Sequence, residues 1–283
     1  MRLSGALAAY LAQRKQEGLS PYTLKAYGLQ LRLLIRDLGD PEAAEVTTEA
    51  LRRHLAPHVD KLKPASMAHK VRAIRVFFKW AHEDAEIITR NPALKIKEPK
   101  LGQRIPKALD VDELELMRDA CCSAFERALV EFLYSTGCRV GELHQVDRAG
   151  IDWDHRTIRV HGKGNKERDV YLGSKAVLRL RQYLQERDDK DPALFVCERN
   201  PHRRMSIHQV QYVVKRIAKR TGLEEKVSPH VMRHTMATQL HNRGASIDVL
   251  QSLLGHDDPK TTRIYAAMTG KRRREAFERY FPD

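Results

Sequence analysis

The sequence predicts a mainly α fold with one small antiparallel β-sheet, divided between a helical amino-terminal domain and a mixed α+β domain that follows it. Three observations carry that prediction. Apolar residues recur at helical spacing through most of the chain, and the period shortens to that of strands only between residues 151 and 172. The segment 96–109, IKEPKLGQRIPKAL, breaks every period with Pro99, Gly102 and Pro106 and reads as an interdomain linker.

In the first domain, 1–95, Leu3, Leu7, Tyr10 and Leu11 mark an amphipathic helix that runs into Gln13, Arg14 and Lys15. That continuation favours a helix over a secretory signal behind the lone Arg2. Ser20 followed by Pro21 is an N-cap with proline at the first helical position, and Leu24, Tyr27, Leu31, Leu34 and Leu38 then trace one stripe. A later helix turns Met67, Val71, Ile74, Phe78 and Ala81 inward. In the second domain, 110–283, Asp110 and Glu113 form a capping box for a helix to about Ala120. The next helix carries Phe125, Leu129, Phe132 and Leu133 and stops at Thr136-Gly137. Strands follow at 151–153, 157–161 and 168–172, separated by the turns Asp154-His155-Arg156 and 162–167. From there the pattern is helical again, with caps expected at Ser174, Ser206, Ser228 and Ser246.

Composition narrows the function. The 283 residues carry a net charge of +14, shared as +8 before residue 105 and +6 after it. A 42% hydrophobic share is enough for an ordinary core, which excludes a wholly disordered chain. No apolar run approaches the roughly 18 to 20 residues of a membrane span. The four cysteines form no CxxC pair, so neither a zinc ribbon nor a disulfide framework is encoded, and a reducing compartment fits. No GxxxxGK[ST] segment suggests ATP use. Two helix faces are basic, one with Lys25, Arg32 and Arg36 and one with Arg72, Arg75 and Lys79. Either face alone is what any solvated helix shows, but two in one small bundle point to nucleic acid.

Four clusters bear chemistry. Arg139 is expected in the first turn of a helix, where the macrodipole disfavours a cation unless an anion joins it, and Glu142 is placed to hold its guanidinium. His230 and Arg233 follow Ser228-Pro229 at i,i+3 on one face near exposed N–H groups, an arrangement suited to an anion. His230 and His234 lack the glutamate and third ligand of a zinc site, so no metal is expected. His256 follows the helix stop Gly255, Tyr265 lies nine residues beyond it, and Lys163 sits between Gly162 and Gly164 at the hairpin tip. Singly, each has an ordinary structural reading.

Taken together, Arg139, Lys163, His230, Arg233, His256 and Tyr265, in this order and at these spacings, closely resemble the active-site set of the tyrosine recombinase, or phage integrase, family. The blocks HVMRHTMATQL and LLGH with TTRIY downstream carry the resemblance most specifically, GKGNKER less so, and it looks most like the Xer or small-integrase branch. Two departures are visible: Ala266 follows Tyr265 where many relatives have threonine and then histidine, and Met232 precedes Arg233 where leucine is common.

The resemblance implies a helical core-binding, SAM-like first domain and a catalytic second one. It implies a transesterification without metal, ATP or other cofactor, in which Tyr265 attacks a DNA phosphodiester to give a 3′-phosphotyrosyl enzyme and a free 5′-hydroxyl. Arg139, Arg233 and His256 would hold the phosphate, Lys163 would protonate the leaving oxygen, His230 would shuttle the tyrosyl proton, and Glu142 would position Arg139. Tyr22, Lys25, Arg32, Ser66, His69, Lys70, Arg72 and Arg75 are the expected DNA-contacting residues of the first domain. The expected partner is double-stranded DNA with paired inverted sites, bound by a homo- or hetero-tetramer. The tail 271–283, KRRREAFERYFPD, reads as a helix whose Phe277, Tyr280 and Phe281 either dock on a neighbouring protomer, as in relatives that assemble a tetramer, or pack on their own domain. A cytoplasmic, nucleoid-associated prokaryotic protein is expected. The competing readings are a type IB topoisomerase, which reseals without exchanging strands, and a DNA-binding protein that keeps the scaffold without catalysis.

Overall fold

A computed structural model describes residues 1–102, 107–162 and 167–255. The chain forms two compact units that divide between residues 103 and 104.

The first unit is built from α1 (Leu3–Gln16), α2 (Pro21–Leu38), α3 (Thr48–Leu55) and α4 (Pro64–Glu83). Local chemistry sets the ends of α2: the Ser20 hydroxyl accepts from the Thr23 N–H at 3.2 Å, Pro21 takes the first position, and Gly39 closes the helix at φ 75°. Leu3, Tyr10, Leu31, Leu34, Ile74, Phe77, Phe78 and Trp80 fill the core. Tyr10 meets Phe77 and Trp80 edge-on at 5.6 and 5.2 Å, and the Trp80 indole donates to Gln13 Oε1 at 2.8 Å.

The expected DNA-contacting residues Tyr22, Lys25, Arg32, Ser66, Arg72 and Arg75 are exposed, and His69 is half-buried against Tyr27. Lys70 corrects the expectation. It is 4% exposed, with Nζ 3.3 Å from His54 Nε2, while His54 Nδ1 lies 2.9 Å from Asp37 Oδ2. The reason is periodicity: Lys70 stands three residues after Met67 and four before Ile74, on the inward stripe of α4. These partners assign a neutral His54 that donates to Asp37 and accepts from the Lys70 ammonium. Burial and the Lys70 charge both lower the His54 pKa, which agrees with that state. Asp37, His54 and His58 also bring potential metal-ligand atoms within 4.8 Å of one another. Both nitrogens of His54 are already engaged, so the cluster is accounted for as the seat of a buried lysine.

The second unit contains α5 (Val111–Asp119), α6 (Ala124–Thr136), α7 (Val140–Leu143), β1 (Ile151–Asp152), β2 (Thr157–His161), β3 (Glu167–Tyr171), α8 (Ser174–Gln185), α9 (Ile207–Arg220), α10 (Pro229–Asn242) and α11 (Ile247–Leu254). The capping box of Asp110 and Glu113 forms as the sequence predicts. The sheet is antiparallel in the order β1-β2-β3, with Ile158 opposite Val170 and Val160 opposite Arg168. Alternation therefore turns Ile158, Val160, Arg168 and Val170 to one face and Arg159, His161, Glu167 and Asp169 to the other. Phe125, Leu129, Phe132 and Leu133 of α6 lie at the centre of the core, and α8 and α10 pack on that helix.

Ser206, Ser228 and Ser246 cap α9, α10 and α11, accepting from the N–H three residues on. Ser174 does not cap: Gly173 holds that position and Ser174 is the first helical residue of α8. The stretch between the two cores is also shorter than 96–109. Ile96 belongs to the first core, Leu109 belongs to the second, and the Leu109 N–H donates to Thr235 Oγ1 at 2.9 Å. No helix among the described residues is long and apolar enough to cross a membrane.

Candidate active site

The site begins where α6 stops. Gly137 ends that helix in the left-handed region at φ 55°, and the chain turns through Cys138 into the single turn of α7. Arg139 is not inside the first turn, as the sequence suggests, but at the N-cap in extended conformation (φ −73°, ψ 149°). Its side chain thus leaves from the corner between two helices. Nη1 donates to Glu142 Oε1 at 2.8 Å, Nη2 donates to the Gly255 carbonyl at 3.3 Å, and the Arg139 N–H donates to Glu142 Oε2 at 2.7 Å.

Glu142 is the pivot of this corner. Its side chain is 4% exposed and accepts a second, two-pronged guanidinium from Arg168, at 2.7 Å to each oxygen. Burial alone would raise its pKa, but hydrogen bonds from Arg168 and from the Arg139 backbone prevail and hold it at about 2. Glu142 is a carboxylate at any working pH. Sequence reading missed Arg168, although the signal was present: in a strand that alternates Arg168, Val170, Leu172, an arginine in phase with the apolar residues points inward.

The second arginine comes from α10. Ser228 caps this helix, Pro229 opens it, and Arg233 follows in its second turn, buried. Arg233 Nη1 donates to the Gly137 carbonyl at 2.5 Å and Nη2 to the Leu254 carbonyl at 2.6 Å. Leu254 and Gly255 are the last residue and C-cap of α11. Both arginines are therefore anchored on successive carbonyls at one helix C-terminus, where unsatisfied oxygens and the negative end of the macrodipole favour cations. His230, one turn ahead of Arg233, is exposed, and its ring lies 5.6 Å from that of His234. Its pKa is lowered by loss of water around the ring, then by the Arg233 and Arg139 charges. The imidazole is consequently neutral at pH 7 and able to accept a proton.

Gly255 is required here for two reasons. It adopts φ 60°, and a Cβ at this position would stand 2.7 Å from Arg168 Cδ. Gly255→Ala should cost about 1–3 kcal/mol, from backbone strain and displacement of Arg168. Thermal unfolding checks this: a fall of roughly 2–10 °C is expected, and an unchanged midpoint would show that the corner tolerates a side chain.

The structure thus brings together Arg139, Glu142, Arg233 and, on the adjoining turn, His230. Lys163, His256 and Tyr265 lie outside the described residues, as does the tail 271–283.

Residues 107–272 match the model of the phage integrase family, and residues 7–84 match that of the phage integrase N-terminal SAM-like domain. The chain belongs to the phage integrase family, the tyrosine recombinases. Among curated members of this family, tyrosine recombinase XerC of Corynebacterium glutamicum is 36% identical, the match covering 94% of this chain and 87% of that protein. Tyrosine recombinase XerD of Listeria innocua is 31% identical, over 94% and 95% of the two chains. Among solved tyrosine recombinases, the crystal structure of XerA recombinase is similar at 28% identity and a TM-score of 0.57, covering 99% of both chains. A lambda integrase dimer bound to a COC′ core site shares the fold, with a TM-score of 0.77 at 22% identity, over 92% of this chain and 97% of that one.

Proposed function

We propose that the arginine pair seated on the end of α11 is the phosphate cradle of a site-specific DNA recombinase that cuts and rejoins strands through a covalent tyrosyl intermediate. The observation that carries this reading is the anchoring of Arg139 and Arg233 on Gly255 and Leu254, immediately ahead of His256. It fixes two cations on the carbonyls of the helix stop itself, in a family whose members are named recombinases and integrases.

In this reading Tyr265 is the nucleophile. A phenol of pKa near 10 costs about 4 kcal/mol to ionise at pH 7, so the site has to offset that. Arg139 and Arg233 do so by presenting N–H donors to the non-bridging oxygens, and one such donor at the transition state is worth about 3–4 kcal/mol. His230, neutral and near both arginines, takes the tyrosyl proton, and His256 donates to the phosphate. Lys163 protonates the departing 5′ oxygen, a contribution of about 10² to 10⁴ in rate. The phosphorus–oxygen bond to the 5′ side breaks as the bond to Tyr265 forms, and a 5′-hydroxyl from a partner strand reverses the step.

The first domain holds the duplex through the exposed Tyr22, Lys25, Arg32, Ser66, Arg72 and Arg75 and the half-buried His69, without Lys70. The tail 271–283 docks on a neighbouring protomer, so that four copies act on paired inverted sites. The XerH recombinase, solved bound to a palindromic difH substrate, shares the fold at a TM-score of 0.73 and 22% identity and offers a precedent for such a substrate.

The experiment that tests this function incubates the protein with labelled duplex and denatures the mixture in detergent. Label travelling with the protein band is expected, and its absence with a cognate duplex would refute the reading. Duplex affinity should also fall steeply between about 50 and 200 mM salt, because phosphate contacts release counterions. A flat response in a titration across that range would contradict a phosphate-dominated interface.

A further inference from the structure

We propose that Arg168 is a positioning residue of the strand-transfer site, which neutralises Glu142 so that Arg139 keeps a full positive charge for the phosphate. The inference rests on the function proposed above and adds a residue and a physical role to it.

Arg139 and Glu142 by themselves are a neutral ion pair. A carboxylate this deeply buried, with one guanidinium as its only cation, would hold that guanidinium with both oxygens and cancel its charge. The observed geometry is different. Arg168 presents two parallel N–H donors to Glu142, one to each oxygen at 2.7 Å. The Arg139 guanidinium gives Glu142 a single nitrogen, Nη1, and sends Nη2 to Gly255. The three groups together carry one net positive charge. Exposure decides which arginine presents it: the Arg139 side chain is 36% exposed and that of Arg168 14%. Arg168 cannot leave to bind the phosphate itself, since it sits opposite Val160 on the inward face of β3, with Cδ against Gly255.

An ordinary structural ion pair would share this geometry but not its charge logic, and the test separates the two. Covalent adduct formation is followed in a single turnover on nicked duplex, with duplex affinity and melting temperature measured for every variant. Arg168→Met should slow adduct formation by about 10²-fold, the scale of losing transition-state charge stabilisation, while duplex affinity stays within about threefold. Adding Glu142→Gln to Arg168→Met removes the uncompensated anion and should recover at least about tenfold of the rate. A purely structural role predicts the opposite, because two lost partners harm the corner more than one. A double variant as slow as Arg168→Met, or an Arg168→Met variant as fast as wild type, would overturn the assignment.

Should Arg168→Met fail to fold, Arg168→Lys decides the matter. It keeps the charge without the two-pronged geometry, so a rate within about tenfold of wild type supports the role and an inactive, folded lysine variant rejects it. A wild-type protein that forms no adduct removes the proposed function itself. Wild-type adduct with an unaffected Arg168→Met variant removes only the role of Arg168.

Discussion

A Tyr265→Phe variant is expected to bind duplex DNA as tightly as the wild-type protein and to form no covalent adduct at all. The effect is absolute because the ring without its hydroxyl has no atom that can bond to phosphorus. Binding is spared because affinity for DNA comes mainly from many phosphate contacts, of which one aromatic ring is a small part. The measurement pairs a gel-shift titration with detergent denaturation of labelled duplex. Residual strand cleavage by the phenylalanine variant would place the nucleophile elsewhere.

Removing Arg233 should have the second largest effect. In the proposed mechanism Arg233→Ala takes away a charged donor to the developing negative charge, which by itself would slow catalysis by about 10²–10³. It also leaves the Gly137 and Leu254 carbonyls without their donor, at about 1–3 kcal/mol for each buried group left unpaired. Loss of rate and loss of stability should therefore appear together. Arg233→Lys separates them in part: its ammonium restores a charge but cannot span both carbonyls and still face a phosphate, so a slowing of about 10²-fold is expected with a smaller drop in melting temperature. An Arg233→Ala protein that forms adduct within tenfold of the wild-type rate would show that the buried arginine serves the fold alone.

Much of the fold was legible in the sequence because its signals are local. The stripe of α2, the capping box at Asp110, the glycine stop at Gly137 and the two-residue period of β2 and β3 each depend on residues a few positions apart. The candidate site was legible to the extent that Arg139, Glu142, His230 and Arg233 were named from spacing, and these are brought to one corner.

The misreadings also have physical causes. Lys70 is expected among the DNA-contacting residues, but the helical stripe it shares with Met67 and Ile74 turns it inward, where His54 supplies the acceptor that makes burial tolerable. Arg168 is not among the expected site residues, although its strand phase puts it on the apolar face. Ser174 gave way to Gly173 because the helix begins one residue earlier than its serine suggests.

Where the helices and strands fall, and which residue types each one carries, was determined by the sequence alone, since caps and periods are properties of a few consecutive residues. Only the tertiary structure decided that Arg139 would be held by a carbonyl 116 residues away and Arg233 by one 96 residues away. Nothing in the local pattern of α6, α10 or α11 encodes that meeting. Packing of the apolar faces of these helices brings the carbonyls at the end of α11 to the corner after α6, and the charges follow.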